Sequence, residues 1–257
     1  MKIICAPILL VMSFVSEAQL PEIAPGVYHW KDLPVRTSEG REGRRIFEGT
    51  SAQFDYFEIH ATTQMKGTAP RPAHANKDIE ELLIVKEGKL KMTINGKSEV
   101  LGPGSAIIIM PQDMQQAENA GDGPLTYYVM MYRFKKSMDL ERGKSSGGSI
   151  MTNPEGLKFK PNERGGVTSY VERPTAMCEN LEFHVTTLDK KGPSHNPHTH
   201  IDTEIILMIE GDTEMNIDQK MYKGTAGDLY FINSELFHGI SNASETVPCR
   251  YFAIRWR

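Results

Sequence analysis

The stretch Glu81-Leu-Leu-Ile-Val-Lys-Glu-Gly-Lys-Leu-Lys-Met-Thr-Ile-Asn-Gly-Lys97 returns 123 residues later as Glu204-Ile-Ile-Leu-Met-Ile-Glu-Gly-Asp-Thr-Glu-Met-Asn-Ile-Asp-Gln-Lys220. A second stretch, Tyr56-Phe-Glu-Ile-His-Ala-Thr-Thr63, returns as Asn180-Leu-Glu-Phe-His-Val-Thr-Thr187, at an offset of 124 residues. Similarity that persists at nearly one offset indicates duplication rather than chance. The chain therefore contains one structural unit present twice.

Each copy has the pattern of short β-strands. Leu90-Lys-Met-Thr-Ile94 alternates apolar and polar residues, and residues 107–110 and 229–232 are short apolar runs between turn residues. Asn95-Gly96 and Asp218-Gln219 stand at hairpin positions. The 22 glycines and 15 prolines favour many turns over long helices. We predict an all-β protein with two antiparallel β-barrels or β-sandwiches in tandem.

The charge balance of the chain argues against nucleic acid as its partner. The 257 residues include 29 basic and 33 acidic side chains, which give a formal net charge of -4. Phosphate backbones are bound by positively charged surfaces. We therefore predict no nucleic-acid partner.

The first eighteen residues have the composition of a secretory signal peptide. Met1-Lys2 is a short positive start, residues 3–15 are apolar apart from Ser13, and Ser16-Glu17-Ala18 supplies small residues for cleavage. This apolar run is too short to cross a bilayer about 30 Å thick as a helix. We predict that residues 1–18 are removed, that the protein is exported to the periplasm or the extracellular space, and that the mature chain has no membrane span.

Removal of the leader, and of Cys5 with it, would leave two cysteines, Cys178 and Cys249. An oxidising compartment allows them to form a disulfide. Two separate, half-buried thiols fit the sequence equally well, because the sequence does not supply the Cα separation that a disulfide requires. Both alternatives stay open at this stage.

The second copy contains histidines and a glutamate with the spacing of metal ligands. His198 and His200 lie two residues apart, so their side chains share one face of an extended segment, and Glu204 lies a further even step along it. His238 would reach the same place from a distant strand. Three imidazoles and one carboxylate suit Mn, Fe, Co, Ni or Zn and are poor ligands for Ca or Mg.

The same residues fit the two sequence motifs of the cupin family. The first motif, G-x5-H-x-H-x3-4-E-x6-G, is matched in full by Gly192, His198, His200, Glu204 and Gly211. The second motif, G-x5-P-x-G-x2-H-x3-N, is matched by Gly227, His238 and Asn242, with Asn233 and Glu235 in place of its proline and glycine. The second copy thus resembles a cupin domain. The resemblance implies that the three histidines and Glu204 bind one divalent transition metal ion (Mn, Fe, Ni, Co or Zn).

The repeat extends this resemblance to nearly the whole mature chain. It implies two tandem cupin barrels, also described as double-stranded β-helices or jelly rolls. We predict a signal peptide at 1–18, an N-terminal cupin at 19–140, a polar linker at 141–161 and a C-terminal cupin at 162–257. Cupins commonly associate through edge strands, so the resemblance also implies a homodimer.

The first copy has lost two of the imidazoles. His74 takes the place of His198 and Glu81 that of Glu204, whereas amides, Asn76 and Gln115, replace the other two histidines. Neutral amide oxygens are weaker ligands for transition metals. Either this copy is retained for packing and dimerisation, or His74, Glu81 and Gln115 form a second, weaker metal or ligand site.

The resemblance implies a metal-dependent enzyme. Four protein ligands leave about two positions open on an octahedral ion, where a substrate oxygen or dioxygen binds. The predicted substrate is a small polar, oxygen-rich metabolite, namely a sugar, a sugar acid or a hydroxy or keto acid, and the reaction is of the isomerase, lyase or hydrolase type. Three alternatives stay open: a non-catalytic sugar- or carboxylate-binding module, a dioxygenase-like bicupin, and a relative of the ureidoglycine aminohydrolases. The last group has a Gln ligand where this chain has His238.

Such an enzyme also needs an acid or base and a substrate anchor. By strand parity, the candidates for acid–base catalysis are Glu182, His184 and Tyr230, and Arg255 is a candidate anchor for a substrate carboxylate. His184 equally fits a structural role, because the first copy keeps its counterpart, His60. His195, just before the first motif, is predicted near the mouth of the site.

Overall fold

The computed structural model describes residues 19–257, so the predicted signal peptide at residues 1–18 lies outside the described residues. Regular structure in this part of the chain comprises 21 β-strands, one α-helix, and short 3-10 helices at Trp30–Asp32 and Pro154–Gly156. None of its helices is long and apolar enough to cross a membrane.

The first half of the described chain forms ten strands. They are β1 (Gly26–Tyr28), β2 (Val35–Ser38), β3 (Arg41–Gly49), β4 (Phe54–Gln64), β5 (Glu80–Glu87), β6 (Leu90–Ile94), β7 (Lys97–Leu101), β8 (Ala106–Ile109), β9 (Gln115–Asn119) and β10 (Leu125–Phe134).

The second half begins with the α-helix and repeats the strand pattern. Its elements are α1 (Leu140–Ser145), β11 (Ile150–Thr152), β12 (Phe159–Asn162), β13 (Gly165–Arg173), β14 (Leu181–Leu188), β15 (Gly192–Pro193), β16 (Thr203–Glu210), β17 (Thr213–Ile217), β18 (Lys220–Gly224), β19 (Leu229–Ile232), β20 (His238–Asn242) and β21 (Cys249–Trp256).

Each copy consists of a large and a small antiparallel sheet. In the first copy the strand orders are β11-β8-β5-β10-β4-β3-β2 and β7-β6-β9. In the second copy they are β1-β19-β16-β21-β14-β13-β12 and β15-β20-β17-β18. Apolar residues alternate inward along the half-exposed strands, as in β6 and β17, while β5 and β16 are buried on both faces. The prediction of two tandem all-β cupin jelly rolls is confirmed.

The two copies exchange their leading strands. β1, from the start of the chain, pairs with β19 of the second copy through the partners Gly26–Phe231, Val27–Tyr230 and Tyr28–Leu229. Reciprocally, β11 pairs with β8 of the first copy through the partners Ile150–Ile108, Met151–Ile107 and Thr152–Ala106. Each large sheet is therefore completed by a strand from the other half of the chain.

The polar segment at 141–161, predicted as a linker, carries regular structure. Helix α1 is capped by Asp139, whose carboxylate accepts a hydrogen bond from the backbone N–H of Arg142 at 2.9 Å. The segment then supplies β11 to the first sheet and most of β12 to the second. It thus ties the two copies together, and the domain limits 19–140 and 162–257 stay a prediction.

An aromatic cluster joins the two barrels. Phe54 and Phe57 of β4 stack with 4.5 Å between ring centroids. Trp256 of β21 packs edge-on against Phe57 at 5.5 Å and against Tyr132 at 5.6 Å. All four side chains are fully buried, and such pairs contribute about 0.5–1.5 kcal/mol each beyond their burial. The cluster packs side chains of both copies into one shared core.

The two cysteines do not form a disulfide. Cys178 and Cys249 are both buried and both free. Cys178 belongs to the core between the copies and Cys249 to the core of the second copy. Burial raises the pKa of the Cys178 thiol to about 12 and that of the Cys249 thiol to about 11. Both behave as apolar packing groups rather than as nucleophiles.

Candidate metal centre

Backbone pairing brings the four predicted ligands of the second copy together. His198 and His238 form an isolated antiparallel pair in which each backbone N–H donates to the other carbonyl at 2.9 Å. His238 begins β20, and Glu204 is the second residue of β16. The N–H of Glu235 donates to the carbonyl of His200 at 2.8 Å, which ties the His200 loop to the turn before β20.

The side chains of these residues converge on one point. One nitrogen of each histidine, His198, His200 and His238, lies within 4.8 Å of the others. Glu204 Oε2 is 3.3 Å from His200 Nε2 and 3.0 Å from His238 Nε2. The four groups thus enclose a space about the size of one ion.

Hydrogen bonds at the outer ring nitrogens set the tautomers of two histidines. Nδ1 of His200 lies 3.0 Å from the carbonyl oxygen of Asp202, and Nδ1 of His238 lies 2.7 Å from that of Leu236. A carbonyl oxygen only accepts hydrogen bonds, so both Nδ1 atoms carry the hydrogen. In the neutral rings, the Nε2 lone pairs are left to face the centre, as in histidines that bind metals.

Two buried nitrogens at this point have no protein partner. They are Nδ1 of His198 and Nε2 of His238. A buried polar atom without a partner destabilises a fold unless something else satisfies it. Unpaired imidazole nitrogens beside a carboxylate fit a transition metal ion.

The charges of the cluster suit a cation. Burial raises the pKa of Glu204, but the adjacent imidazoles of His200 and His238 outweigh it and lower the pKa to about 2. Burial, together with the neighbouring histidines, lowers the pKa of His198. Burial also opposes the charged form of His200, yet Glu204 raises the pKa of that residue above its usual value. The carboxylate is ionised, and it is the negative charge around which the imidazoles gather.

A cavity of about 620 Å³ opens over the cluster. Apolar side chains of the barrel form part of its wall, among them Ile206, Met215 and Ile240. Its polar lining includes two of the predicted acid–base or anchor residues, His184 and Arg255. A volume of this size accommodates a small metabolite.

His184 and Arg255 are held by a shared carboxylate. Glu182 Oε1 lies 3.2 Å from His184 Nδ1, and Glu182 Oε2 accepts a hydrogen bond from Arg255 Nη2. Burial lowers the pKa of His184 and also that of Arg255. Glu182 itself does not line the cavity. It therefore orients two residues that do.

Tyr230 is not brought to the cavity. It is fully buried, and its Oη lies 3.0 Å from Thr213 Oγ1 in the core of the second copy. The alternation of side chains along the strand correctly predicts that Tyr230 points into the barrel. Alternation does not indicate how far below the cavity a side chain lies. Burial raises its pKa further above the usual value.

Sequence reasoning missed several residues of the cavity wall. Asn162 and Arg164 reach it from the β12–β13 hairpin, where Asn162 Oδ1 accepts from the N–H of Arg164 at 2.9 Å. Ser194 and Tyr251 complete the wall beside His195, which is exposed at the rim as predicted. Only the Pro-Asn-Glu-Arg-Gly-Gly turn signal at 161–166 hinted at the hairpin.

The first copy places its predicted site residues in the same arrangement. His74 and Gln115 form the isolated pair that corresponds to His198 and His238, with backbone hydrogen bonds of 3.0 and 2.7 Å. Asn76 Nδ2 donates to Glu81 Oε1, and Gln115 lines the same cavity as Glu81. Burial raises the pKa of Glu81 and prevails over the Asn76 hydrogen bond. His74, Glu81 and Gln115 line a separate cavity of about 220 Å³ together with His60.

Two fused jelly-roll barrels, with a His/Glu cluster in one of them, define a bicupin. Residues 60–131 and 184–255 each match the family model of the cupin domain. These ranges together make up more than half of the chain, and the chain belongs to the cupin family. A comparison with curated protein sequences gives no match.

Solved structures of low sequence identity share the whole two-barrel fold. The protein YlbA from E. coli has a TM-score of 0.70 at 13% identity, over 94% of this chain and 95% of that one. AerE from Microcystis aeruginosa has a TM-score of 0.67 at 13% identity, over 91% and 98%. The oxalate decarboxylase of Lactobacillus farciminis has a TM-score of 0.69 at 14% identity, over 93% and 88%. Identities this low show a common fold alone.

Proposed function

We propose that this bicupin is a metal-dependent enzyme that acts in its second barrel on a small polar, oxygen-rich metabolite. A sugar, a sugar acid or a hydroxy or keto acid fits the site, and the chemistry is of the isomerase, lyase or hydrolase type. One observation carries the proposal. Unpaired imidazole nitrogens and an ionised carboxylate converge beside a 620 Å³ cavity that also holds a histidine and an arginine.

His198, His200, Glu204 and His238 would hold one divalent transition metal ion, either Mn, Fe, Ni, Co or Zn. When bound, such an ion polarises an oxygen atom of the substrate as a Lewis acid. The donor set supports this assignment, because three imidazoles and one carboxylate leave positions open for substrate. The oxalate decarboxylase of Bacillus subtilis, a protein of similar fold, has Mn(II) centres.

His184 is suited to accept a proton from the substrate. Glu182 Oε1 lies 3.2 Å from its Nδ1, so a carboxylate stands directly beside the ring. Burial lowers the pKa of His184, so the ring is neutral near neutral pH and able to act as a general base. The Glu182 carboxylate would stabilise the imidazolium that forms.

Arg255 is suited to orient a substrate carboxylate. Its Nη2 is held by Glu182, whereas its buried Nε has no protein partner. A guanidinium fixed at one corner presents its remaining N–H groups in a rigid array to an anion. This geometry favours an acidic substrate over a neutral one.

Metal analysis tests the proposal directly. We expect the purified mature protein to contain about one transition metal ion per chain by elemental mass spectrometry and His198→Ala to contain almost none. His74→Ala, the matched change in the first copy, is expected to keep the metal. Circular dichroism checks that both variants are folded. Protein that holds no metal and takes up none on reconstitution would overturn the proposal.

Turnover separates an enzyme from a binding protein. With a substrate found by screening small hydroxy acids and sugars, His200→Ala is expected to abolish turnover while the fold is retained. A ligand that stabilises the metal-bound protein without being converted would favour the non-catalytic alternative.

We further propose that the mature chain works as an exported homodimer. The composition of residues 1–18 supports export, and the edge-strand association common among cupins supports the dimer.

A further inference from the structure

The cavity of the first copy differs from that of the second in its polar residues and in its charge. This first-copy cavity has a volume of about 220 Å³ and is lined by Arg41, Gln64, Glu81, Gln115 and Tyr127, among others. It lies in the other barrel from the proposed metal centre. Its ligand preference is therefore independent of the proposed enzymatic function.

Amide hydrogens stand where a metal ion would bind. In the second copy Glu204 faces two imidazoles, whereas its counterpart Glu81 accepts a hydrogen bond from the Asn76 amide, and Gln115 stands where His238 stands in the second copy. An amide N–H is a donor and does not coordinate a cation. The carboxyl of Glu81 is thus satisfied by the protein itself, and the cavity has no ligand set for a metal.

A donor and an acceptor in the same wall remain unpaired. Arg41 and Gln64 are directly opposite each other on β3 and β4. Gln64 is only 2% exposed, its Nε2 donates to Tyr127 Oη at 3.1 Å, and its Oε1 has no partner. Arg41 donates from Nη2 to the carbonyl of Ala69, but its buried Nε also has no partner. Buried polar groups normally have hydrogen-bond partners. A bound molecule that reaches Arg41 Nε and Gln64 Oε1 would supply the partners that these two atoms lack.

The charge of the cavity is positive. Within the part of the chain that the structure describes, neither Arg41 nor the exposed Arg71 at the rim has a carboxylate within ion-pair distance. Glu81 is the only acidic residue in the lining. An anion is therefore the ligand that this wall favours.

We propose that the first-copy cavity is a metal-free binding site for a small hydroxy acid, with the ligand carboxylate on Arg41 and a ligand hydroxyl donating to Gln64. A carboxylate accepts from the guanidinium, and a hydroxyl supplies the donor that Gln64 Oε1 lacks. The volume suits a three- or four-carbon acid better than a longer sugar acid.

Calorimetric titration with glycerate tests this site. The protein is the full mature chain carrying His198→Ala and stripped of metal with EDTA, so that the second barrel contributes no metal-bound ligand. We expect one equivalent of glycerate to bind, and propionate and glycerol, which lack the hydroxyl or the carboxylate, to bind at least about tenfold more weakly. Absence of binding at about 10 mM glycerate would overturn the proposal.

Two independent substitutions locate the binding. Arg41→Met and Gln64→Met are each expected to weaken glycerate binding at least about tenfold. Arg36→Met, which changes an exposed arginine on the neighbouring strand β2, is expected to leave the affinity unchanged. Thermal unfolding confirms the fold of each variant, and the Gln64 variant carries the test if the Arg41 variant does not fold. Unchanged affinity in both Met variants, or a second metal equivalent that His74→Ala removes, would show that the assignment is wrong.

Discussion

Glu80 links the two copies through a buried carboxyl group, and its replacement gives a sharp test of the fold. The side chain is fully buried at the start of β5. Its Oε1 accepts a hydrogen bond from Tyr132 Oη at 2.6 Å, and its Oε2 accepts from the backbone N–H groups of Ala176 and Met177 at 3.1 and 3.3 Å. One acidic residue of the first copy thus satisfies two backbone donors of the second half of the chain.

The cost of removing this carboxyl group is set by the three donors that lose their acceptor. A hydrogen bond to a charged group contributes about 1.5–3 kcal/mol, and a buried donor left unpaired costs about 1–3 kcal/mol. These contributions overlap within one network, so we expect Glu80→Ala to lower the free energy of unfolding by about 3–5 kcal/mol. Glu80→Gln keeps the shape and an acceptor oxygen for the backbone N–H groups, and it is expected to cost about 1 kcal/mol or less near pH 4.5.

The pH dependence of this effect has a definite sign. Burial raises the pKa of Glu80 above its ordinary value of 4.5, although its hydrogen bonds partly oppose the shift. The folded state therefore holds the proton more tightly than the unfolded state. The stability contributed by the protonated carboxyl is fully present below pH 4.5 and is lost as the pH rises through the raised pKa. Glutamine does not titrate, so Glu80→Gln gains stability relative to the wild type as the pH increases.

Urea denaturation of the mature chain at about pH 4.5 and pH 8 measures both effects. Relative to the wild type, the free energy of unfolding of Glu80→Gln should be higher at about pH 8 than at about pH 4.5. Glu99→Gln, which removes an exposed carboxylate on β7, serves as the matched control. Its free energy of unfolding should equal that of the wild type at both pH values. The assigned role of Glu80 is refuted if Glu80→Gln parallels the wild type at both pH values, or if Glu80→Ala loses less than about 1 kcal/mol.

Three further substitutions test the turns and the strand exchange. Gly211 has φ +75°, and a Cβ there would lie 2.7 Å from Cys249 Cα, so Gly211→Ala should lower the free energy of unfolding by about 2–4 kcal/mol in urea. Glu235 has φ +66° where the cupin motif has glycine, so Glu235→Gly should raise stability by about 0.5 kcal/mol, and a lower Tm would contradict this. Asp228→Ala removes the acceptor, 2.9 Å from His29 Nδ1, that holds the segment carrying β1. It should speed proteolysis of that segment relative to the wild type, and equal rates would count against the role of this contact.

The fold was predictable from sequence because its information is local and repeated. Alternation along β6 and turn residues at its end specify a hairpin without reference to the rest of the chain. The exchange of β1 and β11 was not predictable. Each strand has only three residues, too few for an alternation of apolar and polar residues to be recognised. Its pairing partner depends on which sheet edge lies nearby in the folded protein.

The site was predictable to the extent that spacing along a strand determines which face a side chain occupies. His198 and Glu204 are separated by an even number of residues, and both line the cavity. His184, which alternation along its strand predicts to face inward, also lines it. Parity does not determine depth, and Tyr230 accordingly lies in the core below the cavity. The hairpin that carries Arg164 reaches the wall through tertiary packing, for which its own sequence has no periodic signal.

The two copies show how one fold assigns opposite roles to the same carboxyl group. Burial raises the pKa of Glu81 and of Glu204 alike. Next to Glu204 the imidazoles of His200 and His238 reverse that shift, because each has a protonatable nitrogen whose charge favours the carboxylate. Beside Glu81 the amides of Asn76 and Gln115 carry no charge, and burial prevails. Exchanging two imidazoles for two amides therefore shifts the pKa of the equivalent carboxyl group in the opposite direction in the two copies.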